Sequence, residues 1–327
     1  MVSSPFSLMG GVILLSYILR RLLIAIPVLF GISIIAFFMV RLVPGDTVTA
    51  MLGTNYNEAQ AEVLRQKYGL DQSIFIQYGI WIMSLFKGDL GISSFTNEPV
   101  MDLIIGRLPV TLELTIISIL FALLIAIPLG TFAALKRNTP VDYGASFFGM
   151  FGISVPNFWL GTLMILLFSL HLSWLPSSGF VPISDGMWTN LKTMLMPGIA
   201  LGTSVGAVTM RMTRSSMLEV LGEEYMKMAK AKGVNRSRLI WKHGLRNALV
   251  PVITVLGIQA GYLLGGSIII EQIFSLPGIG QLALQAISNR DYSLLQGTIL
   301  FIASAFVLIN LAVDILYAMI NPRIRYS

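Results

Sequence analysis

Long apolar runs alternate with short polar, charged or aromatic connections along most of this chain. Crossing about 30 Å of hydrocarbon takes roughly 20 mostly apolar residues in a helix. Six runs approach or exceed that length: 22–40, 112–135, 147–170, 195–210, 248–270 and 295–320, the fourth being the shortest. Backbone groups in lipid must be satisfied within the segment itself. The predicted fold class is therefore an all-α integral membrane protein with six transmembrane helices. Pro27, Pro128, Pro156, Pro197 and Pro251 lie inside or at the mouths of these runs; such positions are tolerated where neighbouring helices satisfy the freed carbonyls. Glycine recurs every fourth residue at Gly198, Gly202 and Gly206, and again at Gly257, Gly261 and Gly265. Small faces of this kind let helix backbones approach closely. Tight packing is one reading, and a hinge or the lining of a path is the other.

Between the first two spans lies a segment with helical rather than strand periodicity. Asn57 is placed to cap a helix starting at Glu58, with Gly69 as its stop, and Asp71 opens an amphipathic stretch bearing Tyr78, Trp81, Leu85 and Phe86. That stretch is expected at the lipid interface. Two further connections, 171–192 and 271–291, carry Trp174 and Trp188, and Pro277, Gly278 and Gly280 respectively. No internal repeat or low-complexity tract is evident.

Composition agrees with this pattern: 55% of residues are hydrophobic and only 12% charged. Charge then sets orientation, because Lys and Arg in short loops are retained on the cytoplasmic side. With six spans, Arg20, Arg21, Lys136, Arg137, Arg323, Arg325 and nine residues within 211–246 share one side. Both termini are predicted to be cytoplasmic. The net charge of +6 is accounted for by this topology, so no nucleic-acid partner is inferred. The first span follows Arg20 and Arg21 as a signal would, but it is longer than a signal's apolar region and no small-residue cleavage pattern follows, so it is expected to stay as an anchor. Cysteine is absent, which excludes disulfides and thiolate chemistry.

The densest charge lies between the fourth and fifth apolar runs. Leu218, Leu221, Tyr225 and Met228 fall on one helical stripe, and Glu223 and Lys227 are spaced to pair on another face. The spacing predicts a helix ending at Lys232, a stop at Gly233, and a restart capped by Asn235. This predicts a short helix lying across the membrane face, a tight turn, and a second helix leading into the fifth span at Pro251. A basic amphipathic helix resting on anionic headgroups would have the same pattern.

The motifs here are Glu224-Tyr225, Ala229-Lys230-Ala231-Lys232-Gly233 and His243-Gly244-Leu245-Arg246-Asn247-Ala248-Leu249-Val250-Pro251. They resemble the cytoplasmic coupling loop of permease subunits of ATP-binding-cassette importers, most closely the dipeptide, oligopeptide and nickel group. Further matching pieces are Pro44-Gly45-Asp46, Gly88-Asp89-Leu90-Gly91, Arg107-Leu108-Pro109, Phe274-Ser275-Leu276-Pro277-Gly278-Ile279-Gly280, Asn289-Arg290-Asp291-Tyr292 and Asn321-Pro322-Arg323-Ile324-Arg325. A proline usual in the broader family is replaced by Arg246, as in the peptide group. The resemblance implies a type I importer permease fold and a chain that forms half of a translocation pathway for peptides. Nickel or metal chelates and glutathione-like molecules stay open as cargo. Implied domains are 1–21, a cytoplasmic N-terminal segment; 22–110, the first span with a folded extracytoplasmic segment; and 111–327, the transmembrane domain with its coupling loop at 211–247.

The resemblance also implies partners: a second homologous permease, two ATPase subunits and an extracytoplasmic substrate-binding protein, all working around membrane lipid in the bacterial or archaeal cell membrane. ATP and Mg belong on the ATPase subunits, with no cofactor on this chain. Glu224, Tyr225, Met228, Ala229, Lys230, Ala231, Lys232, Gly233, Arg246 and Asn247 are the expected ATPase-coupling residues. Gln259, Gly261, Gly265 and Ser267 are expected pathway-lining positions.

The chain lacks a Gly-Lys-Ser or Gly-Lys-Thr phosphate loop, so energy must come from another polypeptide. His171 and His243 are its two histidines and are far apart, which leaves no metal cluster and no hydrolytic motif. It is read as a transport subunit and not an enzyme. Asp314, a carboxylate well inside a span, is either a proton relay or the partner of an inner-face cation. Glu271 is read as a loop anchor rather than a gate. An ion-driven secondary transporter is the rival of another class, and it would need ionisable or unwound elements at mid-membrane.

Overall fold

A computed structural model describes residues 5–42, 57–67 and 71–320. The motif at 44–46, the stop at Gly69 and the terminal run 321–325 lie outside the described residues. In chain order the helices are α1 (Pro5–Leu42), α2 (Glu58–Lys67), α3 (Ile74–Phe86), α4 (Val100–Leu135), α5 (Pro140–Ser154), α6 (Asn157–Met164), α7 (Met187–Gly222), α8 (Glu224–Ala231), α9 (Arg236–Arg238), α10 (Arg246–Gly266), α11 (Ile268–Ile273), α12 (Ile279–Ser288) and α13 (Tyr292–Ile320). No β-strand occurs among the described residues. By length and composition, α1, α4, α7, the 236–265 segment and α13 can each cross a membrane.

The third predicted span departs from expectation. Instead of one helix over 147–170, the chain forms α5 and α6, bent by 98° across Val155 and Pro156. Proline disfavours the helical region for the residue before it, and Val155 is extended at φ −81°, ψ 123°. Counting this broken pair as one crossing gives six. Beyond α6, residues Ile165–His171 wind as a π-helix.

The fourth span, shortest by hydropathy, lies in one of the longest helices, exceeded among the described residues by the 38-residue α1. Both α4 and α7 have 36 residues, about 54 Å at 1.5 Å per residue. The apolar window of α7 is 72% buried, against 6% for that of α13. A helix surrounded by protein need not be apolar enough for lipid, which is why its hydropathy is lowest.

α7 buries itself by packing along α4. A Cβ on Gly202 would lie 2.7 Å from the Ser118 carbonyl oxygen, one on Gly198 2.5 Å from Ile117 Cγ2, and one on Gly206 3.4 Å from Ala122 Cα. α4 answers with its own small face at every fourth position: Ser118, Ala122, Ala126 and Gly130 are all buried. A Cβ on Gly130 would meet the Met210 carbonyl oxygen at 2.7 Å. The second glycine series, on α10, approaches α13 in the same way. Side chains on Gly257 and Gly261 would collide with Val313 and Phe306. Tight packing is thus the role both series have here.

α1 and α13 pack together, with Arg21 and Asp314 joined at 2.8 Å. Asp314 is therefore the partner of a cation, as one of its two readings anticipated. α3 docks on α1 through rings: Phe37 lies 5.2 Å from Tyr78 and 5.5 Å from Trp81, and the Tyr78 hydroxyl shares a 2.8 Å hydrogen bond with Ser33. Its other side leaves Phe75, Met83 and Phe86 exposed, as expected of a helix at a lipid interface. Asn57 caps α2 as predicted, its side chain accepting from the Ala59 N–H at 2.9 Å.

Replacing Gly202 with leucine sets a side chain against the α4 backbone, which cannot rotate aside. The expected cost is about 3 kcal/mol, typical of severe overpacking, read as a fall in thermal midpoint of the purified protein. Gly79→Leu, where a Cβ meets nothing within 4 Å, is expected to leave the midpoint unchanged.

Candidate coupling site

α7 stops at Gly222 because Glu223 is extended, at φ −65° and ψ 146°. The helix predicted to run unbroken to Lys232 is therefore two helices, and the eight-residue α8 is set at its own angle. The break also changes the ion pair: Lys227 bonds Glu224 at 2.6 Å instead of Glu223. The stop falls where the sequence placed it. Gly233 has φ +78°, with its N–H bonded to the Lys230 carbonyl at 3.0 Å and the Val234 N–H bonded to that of Ala229 at 3.2 Å. This pair of bonds is the Schellman closure, which requires the left-handed region that glycine enters freely. Asn235 then caps the restart, accepting from the Ser237 N–H at 2.9 Å.

Residues Leu239–Leu245 form a π-helical turn before α10. α8 is fastened to this turn and to α7 from beneath. Met226 is 3% exposed, and a Cβ built on Gly244 would lie 3.6 Å from the terminal methyls of both Met226 and Met217. Ala134, Met217 and Ala248 form the buried floor, with Leu218, Leu221 and Ile240 packed against it, so the ends of α4 and α7 and the start of α10 share one apolar seat. A second fastening is polar. The Asn247 amide donates to the Tyr225 hydroxyl at 2.7 Å and to the His243 carbonyl at 3.0 Å. Two expected site residues, 22 positions apart, thus meet. Met226 was not singled out from the sequence, although it lies between two residues that were, and Gly244 entered only as part of the motif.

The outer face of α8 is uncovered. Met228 is 59% exposed and Tyr225 39%; Glu224, Lys230, Ala231, Lys232 and Arg246 are exposed, and Ala229 is half-buried. Arg214, about two turns before the end of α7, makes a two-armed ion pair with Asp142 of α5, with one arm at 2.8 Å. Asp142 is 2% exposed and also accepts from the Asn138 N–H at 3.0 Å. This clamp fixes the turn between α4 and α5 to α7. Sequence reading counted Arg214 among the loop's positive charges and did not find its partner, 72 positions away.

The chain matches the family described as binding-protein-dependent transport system inner membrane component over residues 126–326, and that system's N-terminal membrane component over 14–115. The chain belongs to this family. It is therefore a multi-pass permease subunit of an ATP-binding-cassette transport system in the cell membrane. It is 43% identical to the dipeptide transport system permease protein DppB of Alkalihalophilus pseudofirmus, over 96% of this chain and 100% of that protein. It is 42% identical to the glutathione transport system permease protein GsiC of Escherichia coli K12, over 96% and 100%, and 39% identical to the oligopeptide transport system permease protein AppB of Bacillus subtilis, over 95% and 99%. A solved amino acid ABC transporter superposes with a TM-score of 0.46 at 17% identity, covering 68% of this chain and 94% of that one.

Other motifs that carried the resemblance build the opposite end of this permease. The run from Phe274 to Gly280 wraps the carboxylate of Glu271, which is fully buried. Glu271 accepts from Ser267 Oγ at 2.8 Å, the Gln281 N–H at 2.8 Å and Thr111 Oγ1 at 3.3 Å. Side chains at Gly278 or Gly280 would strike this carboxylate. Glu271 is thus a loop anchor. Likewise Asp291 caps α13, accepting from the Leu294 N–H at 3.1 Å, and takes a hydrogen bond from the buried Ser93. This draws the Gly88–Gly91 motif to the motif at 289–292. Of the expected lining positions, Ser267 is buried with its hydroxyl on Glu271, Gly261 and Gly265 lie against α13, and Gln259 is half-exposed on α10.

Removing the Tyr225 hydroxyl and the Asn247 amide should be non-additive. In a thermal-stability cycle, Tyr225→Phe and Asn247→Ala each cost about 1 kcal/mol and the double variant little more than either. Additive losses would mean the two side chains do not hold each other.

Proposed function

We propose that this permease is the membrane half of a peptide importer and that α8 is the lever through which ATPase subunits drive it. Its basic end faces the cytoplasm by the distribution of Lys and Arg. The single observation that carries the proposal is the seat of α8: Met226 packs its inner side and the Tyr225 hydroxyl is tied to Asn247, while Met228 is exposed and Tyr225 and Ala229 are partly uncovered. A helix held in this way must carry α7 and α10 with it when a partner moves it, which is what coupling through a two-state element requires. Glu224, Lys230, Ala231 and Lys232 surround the contact, Gly233 sets its turn, and Arg246 stands exposed beside Asn247.

The partners are two ATPase subunits holding ATP and Mg, a second permease similar to this one but not identical, and an extracytoplasmic protein that delivers cargo. The segment 22–110 receives that protein, and 111–327 forms the moving core with its loop at 211–247. Cargo runs between the two permeases, with Gln259 on its wall. Peptides are the cargo because the relatives are named for dipeptides, oligopeptides and glutathione, which share amide-linked amino acids with free carboxylates.

Two experiments test this. The chain has no native cysteine, so Met228→Cys supplies a single thiol in this subunit. It is expected to cross-link to an ATPase subunit in assembled complexes, whereas a thiol labelled only by lipid-phase reagents contradicts the docking role. Gly233→Pro cannot keep φ +78°. It is expected to abolish ATP-dependent peptide uptake in assembled complexes, and surviving uptake contradicts the lever.

A further inference from the structure

The outward faces of the two long helices differ in kind. Along α4 the exposed residues Leu112, Ile116, Leu120, Leu124 and Phe132 recur at multiples of four and are all apolar, a face suited to lipid. In the second half of α7 the most exposed residues are Arg211, Ser215 and Glu219, on one stripe with the half-exposed Ser204 and Val208. Arg211, Ser215 and Glu219 follow the apolar run 195–210, on the end of α7 that the distribution of Lys and Arg puts at the cytoplasmic side, so the stripe faces protein or water there and not lipid.

This stripe borders a groove of about 870 Å³ walled by Ser146 and Met150 of α5, Arg211, Arg214 and Ser215 of α7, and Val255 of α10. The two guanidinium groups are not equivalent. Arg214 is committed to Asp142. Arg211 has no ion-pair partner among the described residues, and its stem lies on Gly149, where a Cβ would come within 3.2 Å of Arg211 Cγ. The stem is packed and the charge lies at the groove. Arg211 precedes the end of α7 by 11 residues, about 16 Å. The helices that form two of its walls, α7 and α10, are the two joined by the α8 loop.

We infer that this groove is an anion subsite on the cargo path, in which Arg211 binds the C-terminal carboxylate of a peptide in transit; this rests on the peptide-importer reading above. A guanidinium fork matches a carboxylate with two parallel hydrogen bonds, and the hydroxyls of Ser146 and Ser215 add donors. Met150 and Met212, also on the wall, are flexible and polarizable enough to accept varied side chains. The terminal carboxylate is the one negative charge that unmodified linear peptides share whatever their sequence. A subsite built for it passes many peptides without reading them. Gln259 lies one turn beyond Val255 on the same side of α10.

The test uses the complete importer, reconstituted in liposomes with its binding protein, and alanine peptides of two to five residues. Arg211→Gln is expected to slow their ATP-dependent uptake about tenfold, the scale of one lost charge-assisted hydrogen bond. Arg211→Lys should retain most of the rate, and ATP hydrolysis stimulated by the binding protein should persist in both. Saturation-transfer NMR on the purified complex without binding protein should show contact with the peptides and not with their C-terminal amides, and Arg211→Gln should lose it. Equal loss of uptake and hydrolysis overturns the subsite in favour of a structural role, as does contact with acid and amide alike. A defect seen only in bilayers containing phosphatidylglycerol, and absent in phosphatidylcholine alone, assigns the groove to a lipid headgroup. Wild-type complex that takes up none of the peptides contradicts the importer reading itself, whereas normal wild-type uptake that Arg211→Gln leaves untouched overturns the subsite alone.

Discussion

The close approach of α4 and α7 is the constraint on which the rest of this permease depends. In lipid no hydrophobic effect drives helices together, so association rests on van der Waals packing between backbones that can come near. Facing small residues provide this, Gly198, Gly202 and Gly206 on one helix and Ser118, Ala122, Ala126 and Gly130 on the other. Once α7 is held along α4, its end is fixed in space, and the Arg214–Asp142 clamp ties α5 to the same frame. The position and angle of α8 follow from that frame.

Function follows from how tightness is distributed. Around α8 the chain is closed beneath by methionine packing and a tyrosine–asparagine hydrogen bond and left open above. At the opposite end, Glu271 and Asp291 gather the loops into fixed turns through buried hydrogen bonds. The proposed lever is therefore stiff on its seated side and bare on its outer side. Between the two fixed ends, α5, α7 and α10 border a groove. A device of this kind suits a chain that carries no phosphate loop of its own and belongs to a family of transport-system membrane components.

Features local in sequence are readable from the sequence alone. The left-handed stop at Gly233, the caps at Asn235 and Asn57, the apolar spans and the glycine series each depend on a few neighbouring residues. The family resemblance added the role of the loop, which periodicity alone left shared with a headgroup-bound helix. What escaped depends on distant partners. Asp142 and Arg214 are 72 positions apart, so neither reveals the other. Hydropathy under-reported α7 because a helix wrapped in protein is free to be less apolar. Pro156 was noticed, but only the fold decides whether such a proline kinks a span or breaks it. The break at Glu223 sets Met226 inward, which a periodic pattern through one continuous helix could not give.

The central claim is that α8 moves as one body with the helix it feeds. Met228 and Trp241 are both exposed, one on α8 and the other on the turn leading to α10. Spin labels at these two positions, read by pulsed electron resonance in the assembled transporter, measure their separation with and without trapped ATP. A constant separation is predicted, accompanied by a change in the distance from Met228 to the same residue's counterpart in the second permease. A separation that shifts with nucleotide while the spans stay still would contradict the lever.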